Sequence, residues 1–295
     1  MQTYRRGQTL FRKGSNLMKK LVLTGAAGRL GSYLREPLSQ MCDRLVSTDW
    51  TEDIGKLYPS ETYVKADLGD LEAMEAVLDG ADMVVHFGAI GDEAAWDKIL
   101  HSNIIGAYNV WEAAARKGLR RVVYASSIHA VGMYPKTQRI DTEVPHRPDT
   151  YYGLAKCFAE DLGSLYWDKK GIESVHLRIL SAAQVNNPRA LGSWLSYDDL
   201  IHLVQQAITT PITGFCVIYG VSNNDRVTVD NHKAAFLGYR PKDNAEQCAE
   251  EVLAAADPAD PHDPGQMCQG GPFASVEIGF SGTASMNIVQ DKKEI

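Results

Sequence analysis

Cysteine is sparse in this chain of 295 residues: Cys42, Cys157, Cys216, Cys248 and Cys268 are scattered, odd in number and never spaced C-x-x-C. That pattern excludes a disulfide framework and a zinc ribbon, and it fits a reduced, cytoplasmic compartment. No two of the eight histidines lie three to five residues apart, so a helical metal site has no support and no metal is expected. No apolar run approaches the length of a membrane span. Positive charge is also short; the formal net charge of −7 disfavours nucleic acid and anionic membrane as partners. Residues 1–17 lack Asp and Glu altogether, and they lack the apolar core of a secretory signal. Such an Arg-containing leader suits a transit peptide or, the reading preferred here, a disordered upstream extension ahead of Met18. No internal repeat or low-complexity block interrupts the rest. At 44% apolar and 23% charged residues, the remainder is an ordinary globular chain with ample core.

What is present begins at Lys19. Leu21, Val22 and Leu23 form an unbroken apolar run, the mark of a strand buried on both faces. Gly25, Gly28 and Gly31 follow in G-x-x-G-x-x-G spacing, and Leu30, Leu34 and Leu38 then recur along one helix face. Strand, glycine turn and helix in this order constitute a dinucleotide fingerprint in context. Gly25 permits the turn, Gly28 lets a pyrophosphate approach the backbone, and Gly31 allows helix and strand to pack closely. The helix N-terminus supplies free N–H groups to the phosphates. A second strand, Leu45 to Thr48, ends at Asp49, roughly 20 residues beyond the glycines, where an acid would hold a ribose 2′-hydroxyl. A carboxylate there repels a 2′-phosphate and favours NAD over NADP, although Arg29 inside the glycine loop pulls the other way.

Further strands are expected at Tyr63 to Ala66, Met83 to Phe87, Arg121 to Ala125 and Val175 to Ile179, with a late one at Cys216 to Tyr219. Between them lie helical patterns, including one long helix from Trp96 to Ala114. This alternation predicts an α/β fold with a doubly wound parallel sheet. Its ligands belong beyond the carboxyl ends of the strands, where Asp49, Gly88 and Ser127 fall. The expected organisation is a dinucleotide-binding domain over residues 18–180, a small, intimately packed substrate-binding lobe over 181–273, and a polar tail over 274–295.

Tyr152 and Lys156 stand four apart on a helical segment and so share a face. An ammonium beside a phenol favours the phenolate and is expected to draw its pKa from about 10 towards neutrality, making Tyr152 a candidate general acid/base. Ser127, ending the fifth strand, could hold the reacting oxygen beside it; its bland alternative is a turn cap.

With these elements in order, the sequence resembles the extended branch of the short-chain dehydrogenase/reductase superfamily, over Lys19 to about Phe273. The segments Asn103 to Ala114 (NIIGAYNVWEAA), Ala125 to Pro135 (ASSIHAVGMYP), YYGLAKCFAE, WLSYDDL and FLGYRPKDNAE further resemble the uronate dehydrogenases. The resemblance implies a Rossmann-type fold and NAD-linked oxidation of D-galacturonate or D-glucuronate at C1 to an aldarolactone. In that reading Tyr152 takes the hydroxyl proton, Lys156 binds the nicotinamide ribose, and Ser127 positions the hydroxyl. Gly25, Gly28, Arg29, Leu30 and Gly31 cradle the cofactor, Asp49 holds the adenosine ribose, and Asp67 with Leu68 lies at the adenine. Gly88, Ala89 and Ile90 approach the cofactor, and Asn103 supports the region behind Lys156. The implied substrate contacts are Gly91, Ser127, Ile128, His129, Tyr152, Ser181 and Arg189, the last offering a guanidinium fork to the uronate carboxylate. The chain departs from the family pattern at Ile128, where asparagine is usual, at Gly91, where serine is usual, and in a shorter stretch between Ser181 and Asn186. All three touch the sugar side. A nucleotide-sugar epimerase or dehydratase of the same branch is the enzymatic alternative, but only a short remainder follows the sixth strand. A non-catalytic dinucleotide sensor is the other, set against the retained Ser127, Tyr152 and Lys156. Self-association into a homo-oligomer is the superfamily's habit and is expected on that ground alone.

Overall fold

The computed structural model describes residues 18–282; the expected extension over 1–17 and the tail beyond 282 lie outside the described residues. Strands β1 (Met18–Thr24), β2 (Cys42–Asp49), β3 (Glu61–Lys65), β4 (Met83–His86), β5 (Arg121–Tyr124), β6 (Glu173–Ile179) and β7 (Phe215–Gly220) form one parallel sheet in the order β3-β2-β1-β4-β5-β6-β7. The strand order reverses direction between β1 and β4, which opens a crevice at their carboxyl ends. Leu21, Val22 and Leu23 are wholly buried, as a central strand covered on both faces requires.

Helices α1 (Arg29–Ser39) and α6 (Tyr197–Thr209) cover one face; α2 (Leu71–Leu78), α4 (Gly106–Lys117) and α5 (Tyr151–Lys170) cover the other. The capping chemistry of α5 fixes where the helix begins and ends. Thr150 accepts a hydrogen bond from the Gly153 N–H at 3.1 Å, and Gly171 ends the helix in the left-handed region at φ 70°. A short 3₁₀ turn, Ile128–Val131, follows β5.

The long helix expected from Trp96 to Ala114 is interrupted. Helix α3 (Trp96–Ile99) passes into a π-helical stretch, Leu100–Ile105, before α4 resumes. The widened turn carries Asn103, whose side chain bonds the Ile90 N–H at 2.8 Å and the Ile90 carbonyl at 3.0 Å. An amide that mimics a strand partner for the loop after β4 accounts for the break, since π-bulges re-aim side chains at specific sites.

Beneath the sheet on the α4–α5 side, His86, Trp111, Tyr124 and His176 form one buried aromatic cluster; Trp111 stacks on His176 with centroids 5.7 Å apart. Burial, with Lys156's charge nearby, pushes His86 down to about 3, and burial pushes His176 down to about 4 against the pull of Glu160. Both rings therefore stay neutral in the fold while the unfolded rings protonate near pH 6.5. Above that pH they have no effect on the balance. As pH falls from about 6.5 towards each folded value, stability is lost at about 1.4 kcal/mol per unit for each ring. Urea unfolding as a function of pH should show this decline, and His176→Phe should make it shallower; an unchanged slope in that variant would remove the histidine as its cause.

Candidate active site

The crevice is built from loops that follow β1, β4, β5 and β6. Gly25 sits at φ 72°, and a Cβ there would stand 2.5 Å from the Gly88 nitrogen, so only glycine allows β1 and β4 to part this closely. A Cβ at Gly31 would meet the Gly25 carbonyl oxygen at 2.0 Å, which seats α1 directly on the turn. Gly28 is the N-cap of α1 and offers no side-chain cap, leaving backbone donors for a ligand. Asp49 braces this turn: one carboxylate oxygen accepts from Ala27 N–H at 2.9 Å and the other from Trp50 N–H at 2.8 Å. Beside the turn, one terminal nitrogen of the Arg29 guanidinium (Nη1) is buried with no partner among the described residues.

One cleft of about 800 Å³ runs from this turn past β5 to the loop after β6. Among the residues expected at the site, Gly25, Gly28, Arg29, Leu30, Gly31, Ala89, Gly91, Ser127, His129, Tyr152, Lys156, Ser181 and Arg189 all line it. Others stand apart. The Ile128 side chain is wholly buried against Val131, Ile140 and Leu180. Asp67 is engaged by Gly69 N–H and His101, and Leu68 packs under α4 with its carbonyl accepting from Asn109. Gly88 donates to Thr24 Oγ1, while Asn103 and Ile90 hold one another.

Ser127 does cap the turn after β5, its Oγ accepting from His129 N–H at 3.3 Å, and its hydroxyl acts to lower the Tyr152 phenol. Lys156 donates to the Ala125 carbonyl at 2.7 Å and lies 4.7 Å from the Tyr124 ring centroid and 5.2 Å from that of Tyr152. Burial lowers this lysine to about 7, with Glu160 opposing. The expectation that lysine draws the phenol towards neutrality is corrected here. Burial dominates and pushes Tyr152 up to about 12, outweighing the Ser127 hydroxyl that lowers it.

At the far end, Arg189 donates to the Gln269 carbonyl at 3.0 Å and keeps its Nε buried and unpartnered among the described residues. Burial lowers it to about 10 against the attraction of Asp149. Lys136, lowered to about 8 by burial and then by Arg189's like charge, donates to the Gln266 carbonyl. Two cations thus border one end of the cleft.

Several residues that shape the site escaped sequence reasoning. Glu93 is buried; one oxygen accepts from the Tyr152 N–H at 2.7 Å and the other from the Gly279 N–H at 2.8 Å. It therefore ties the first turn of α5 to the segment near residue 280, part of the stretch expected as tail. Asp149 meets His129 at 2.7 Å, and Phe273 stacks on that histidine at 4.0 Å. Charged residues standing next to recognised motifs, as Glu93 does two after Gly91 and Asp149 three before Tyr152, were the available signal.

The model of the NAD dependent epimerase/dehydratase family matches residues 21–186. The uronate dehydrogenase of Pseudomonas putida is 44% identical over 256 residues, 86% of this chain and 95% of that protein. The crystal structure of uronate dehydrogenase from Agrobacterium tumefaciens superimposes with a TM-score of 0.84 at 42% identity, covering 88% of this chain and 98% of that one. A tyrosine-to-alanine mutant of the Agrobacterium tumefaciens enzyme, complexed with NAD, gives the same TM-score at 41% identity and the same coverage of both chains.

Proposed function

The chain belongs to the NAD dependent epimerase/dehydratase family, with the uronate dehydrogenases, and is an NAD-dependent oxidoreductase; we propose that it oxidises a hexuronate, D-galacturonate or D-glucuronate, at C1 to the aldarolactone. The observation that carries this reading is a single cleft with the glycine turn at one end, Arg189 at the other, and Tyr152 with Ser127 between them. The residues present fit the cofactor. Gly28 leaves backbone donors uncapped, the buried unpartnered Arg29 nitrogen suits an anion, and Asp49 retains lone pairs for ribose hydroxyls. NAD⁺ supplies the hydride acceptor and brings a cationic ring.

In this reading the Arg189 guanidinium holds the C6 carboxylate and fixes the sugar with C1 towards Tyr152. Ser127 donates to or accepts from the C1 oxygen and keeps it within reach of the phenolate. Tyr152 removes the hydroxyl proton while hydride leaves C1, so the O–H electron pair becomes the new carbonyl bond of the lactone. Lys156 holds the nicotinamide ribose. One proton and one hydride leave the sugar, which balances as hexuronate and NAD⁺ giving lactone, NADH and H⁺. The five free cysteines support a reduced cytoplasmic setting.

The test is NADH formation with D-galacturonate, D-glucuronate and the neutral parent sugars. Uronates should turn over and the neutral sugars should not. Arg189→Met should raise KM for uronates about tenfold to a hundredfold, since a charge-assisted hydrogen bond contributes about 1.5–3 kcal/mol. Turnover of neutral sugars at equal kcat/KM, or no uronate turnover by protein that binds NAD, would overturn the assignment.

A further inference from the structure

The His129–Asp149 pair is built with more constraint than a substrate contact alone needs. His129 Nδ1 lies 2.7 Å from Asp149 Oδ2, and the Asp149 side chain is completely buried. The other oxygen, Oδ1, accepts from the Thr150 hydroxyl at 2.9 Å. Glycines wall the carboxylate in. A Cβ on Gly132 or Gly270 would stand 1.9 Å from Oδ2, and one on Gly153 would stand 3.0 Å from Oδ1. These glycines come from three separate segments, so the carboxylate can neither swing away nor be replaced by a longer acid. The imidazole is equally fixed: it stacks on Phe273 at 4.0 Å, meets the Tyr152 ring edge-on at 5.5 Å, and has its own backbone N–H on Ser127 Oγ.

A buried carboxylate only accepts hydrogen bonds, so the ring nitrogen facing it must carry the proton. We propose that Asp149 is a positioning residue that fixes His129 as the Nδ1–H tautomer, leaving Nε2 in the cleft as an acceptor for a hydroxyl of the bound sugar. This rests on the reading of the cleft as a hexuronate site. It adds a division of labour: Arg189 recognises the carboxylate as a donor, while His129 recognises a hydroxyl as an acceptor. A ring held as the opposite tautomer would present a second donor, which either a carboxylate or a hydroxyl oxygen could accept, whereas a bare Nε2 takes a hydroxyl and turns a carboxylate away. Carboxylate–imidazole pairs set tautomer and orientation in this way at other sites where histidine must act through one nitrogen.

The experiment is ¹⁵N NMR of histidine-labelled protein at about pH 9, above the ordinary imidazole range, with His129→Gln used to assign the signal. The expected result is a protonated, pyrrole-type Nδ1 and an unprotonated, pyridine-type Nε2. The reverse tautomer, or two protonated nitrogens, would overturn the proposal. This readout needs no substrate, so it is separable from failure of the uronate assignment. Kinetics supply the second arm. Asp149→Asn should disturb the tautomer and lower kcat/KM for uronates tenfold to a hundredfold, with NAD affinity by tryptophan fluorescence unchanged. In a His129→Gln background the same substitution should cost nothing further, because a residue acting only through His129 shows full coupling in a double-mutant cycle. Additive losses would assign Asp149 a structural role instead. Should Asp149→Asn fail to fold, the wild-type tautomer still decides.

Discussion

Tyr152→Phe is expected to lower kcat with uronates by about a thousandfold, within the 10²–10⁴ range that a positioned general base contributes. The substitution removes one oxygen and leaves the ring in place against His129 and Phe273. The Tyr152 backbone N–H keeps its bond to Glu93, so the first turn of α5 should stay put. NAD affinity, measured by fluorescence, should therefore change little. Burial holds the phenol up at about 12 with protein groups alone. Positive charge brought into the cleft must lower it for the phenolate to be populated at working pH, and the bound cofactor's ring carries such charge. The sign of the pH effect follows. With Tyr152 as the proposed base the competent form is the deprotonated one, so wild-type kcat/KM should climb up to tenfold per pH unit until the operating pKa is reached. The residual rate of Tyr152→Phe should lack that climb. A phenylalanine variant that retained both the rate and the climb would move the base elsewhere.

The parts of this site that could be read in the sequence are those whose chemistry is local. The glycine turn announces itself because strand, turn and helix are contiguous, and the structure closes Gly25 and Gly31 to backbone distances no Cβ would survive. Tyr152 and Lys156 share a helix face by spacing alone. The parallel alternation likewise follows from period and length, and the sheet has it. What escaped was set by tertiary packing. The π-helical break at Asn103 depends on the Ile90 backbone lying alongside, which no helical period records. Glu93 reads as one acid in an irregular loop until the fold brings it to the N-terminus of α5. Asp149 reads as a turn residue until Gly132 and Gly270 close over it. The direction of the Tyr152 shift was missed for the same reason. Spacing reports the neighbouring charge, whereas desolvation depends on everything that covers the ring.

Glu160 extends the same helix face one turn beyond Lys156, and replacing it should produce the largest loss of stability among these changes. Its carboxylate accepts from Ser126 Oγ and from Arg178 Nε at 2.9 Å through one oxygen, and from Arg178 Nη2 at 2.7 Å and His146 at 2.8 Å through the other. Burial alone would raise this carboxyl, but the His146 and Arg178 bonds override it and hold the group at about 2. Glu160→Gln strands the buried Arg178 without its counter-charge, at a cost of about 3–5 kcal/mol, to be read from urea unfolding. A second effect reaches the chemistry. Glu160 is the group that opposes desolvation of Lys156, so without it the lysine is lowered further. The lysine proposed to hold the nicotinamide ribose then carries less charge, and kcat should fall even in protein that remains folded. The double variant Glu160→Met, Arg178→Met separates the two effects. A well-packed apolar pair in place of a buried ion pair is often as stable as the original, so unfolding should recover while kcat at neutral pH stays low. Full recovery of kcat in the double variant would show that Glu160 matters only as the partner of Arg178. Stability restored without activity would assign it to keeping Lys156 charged.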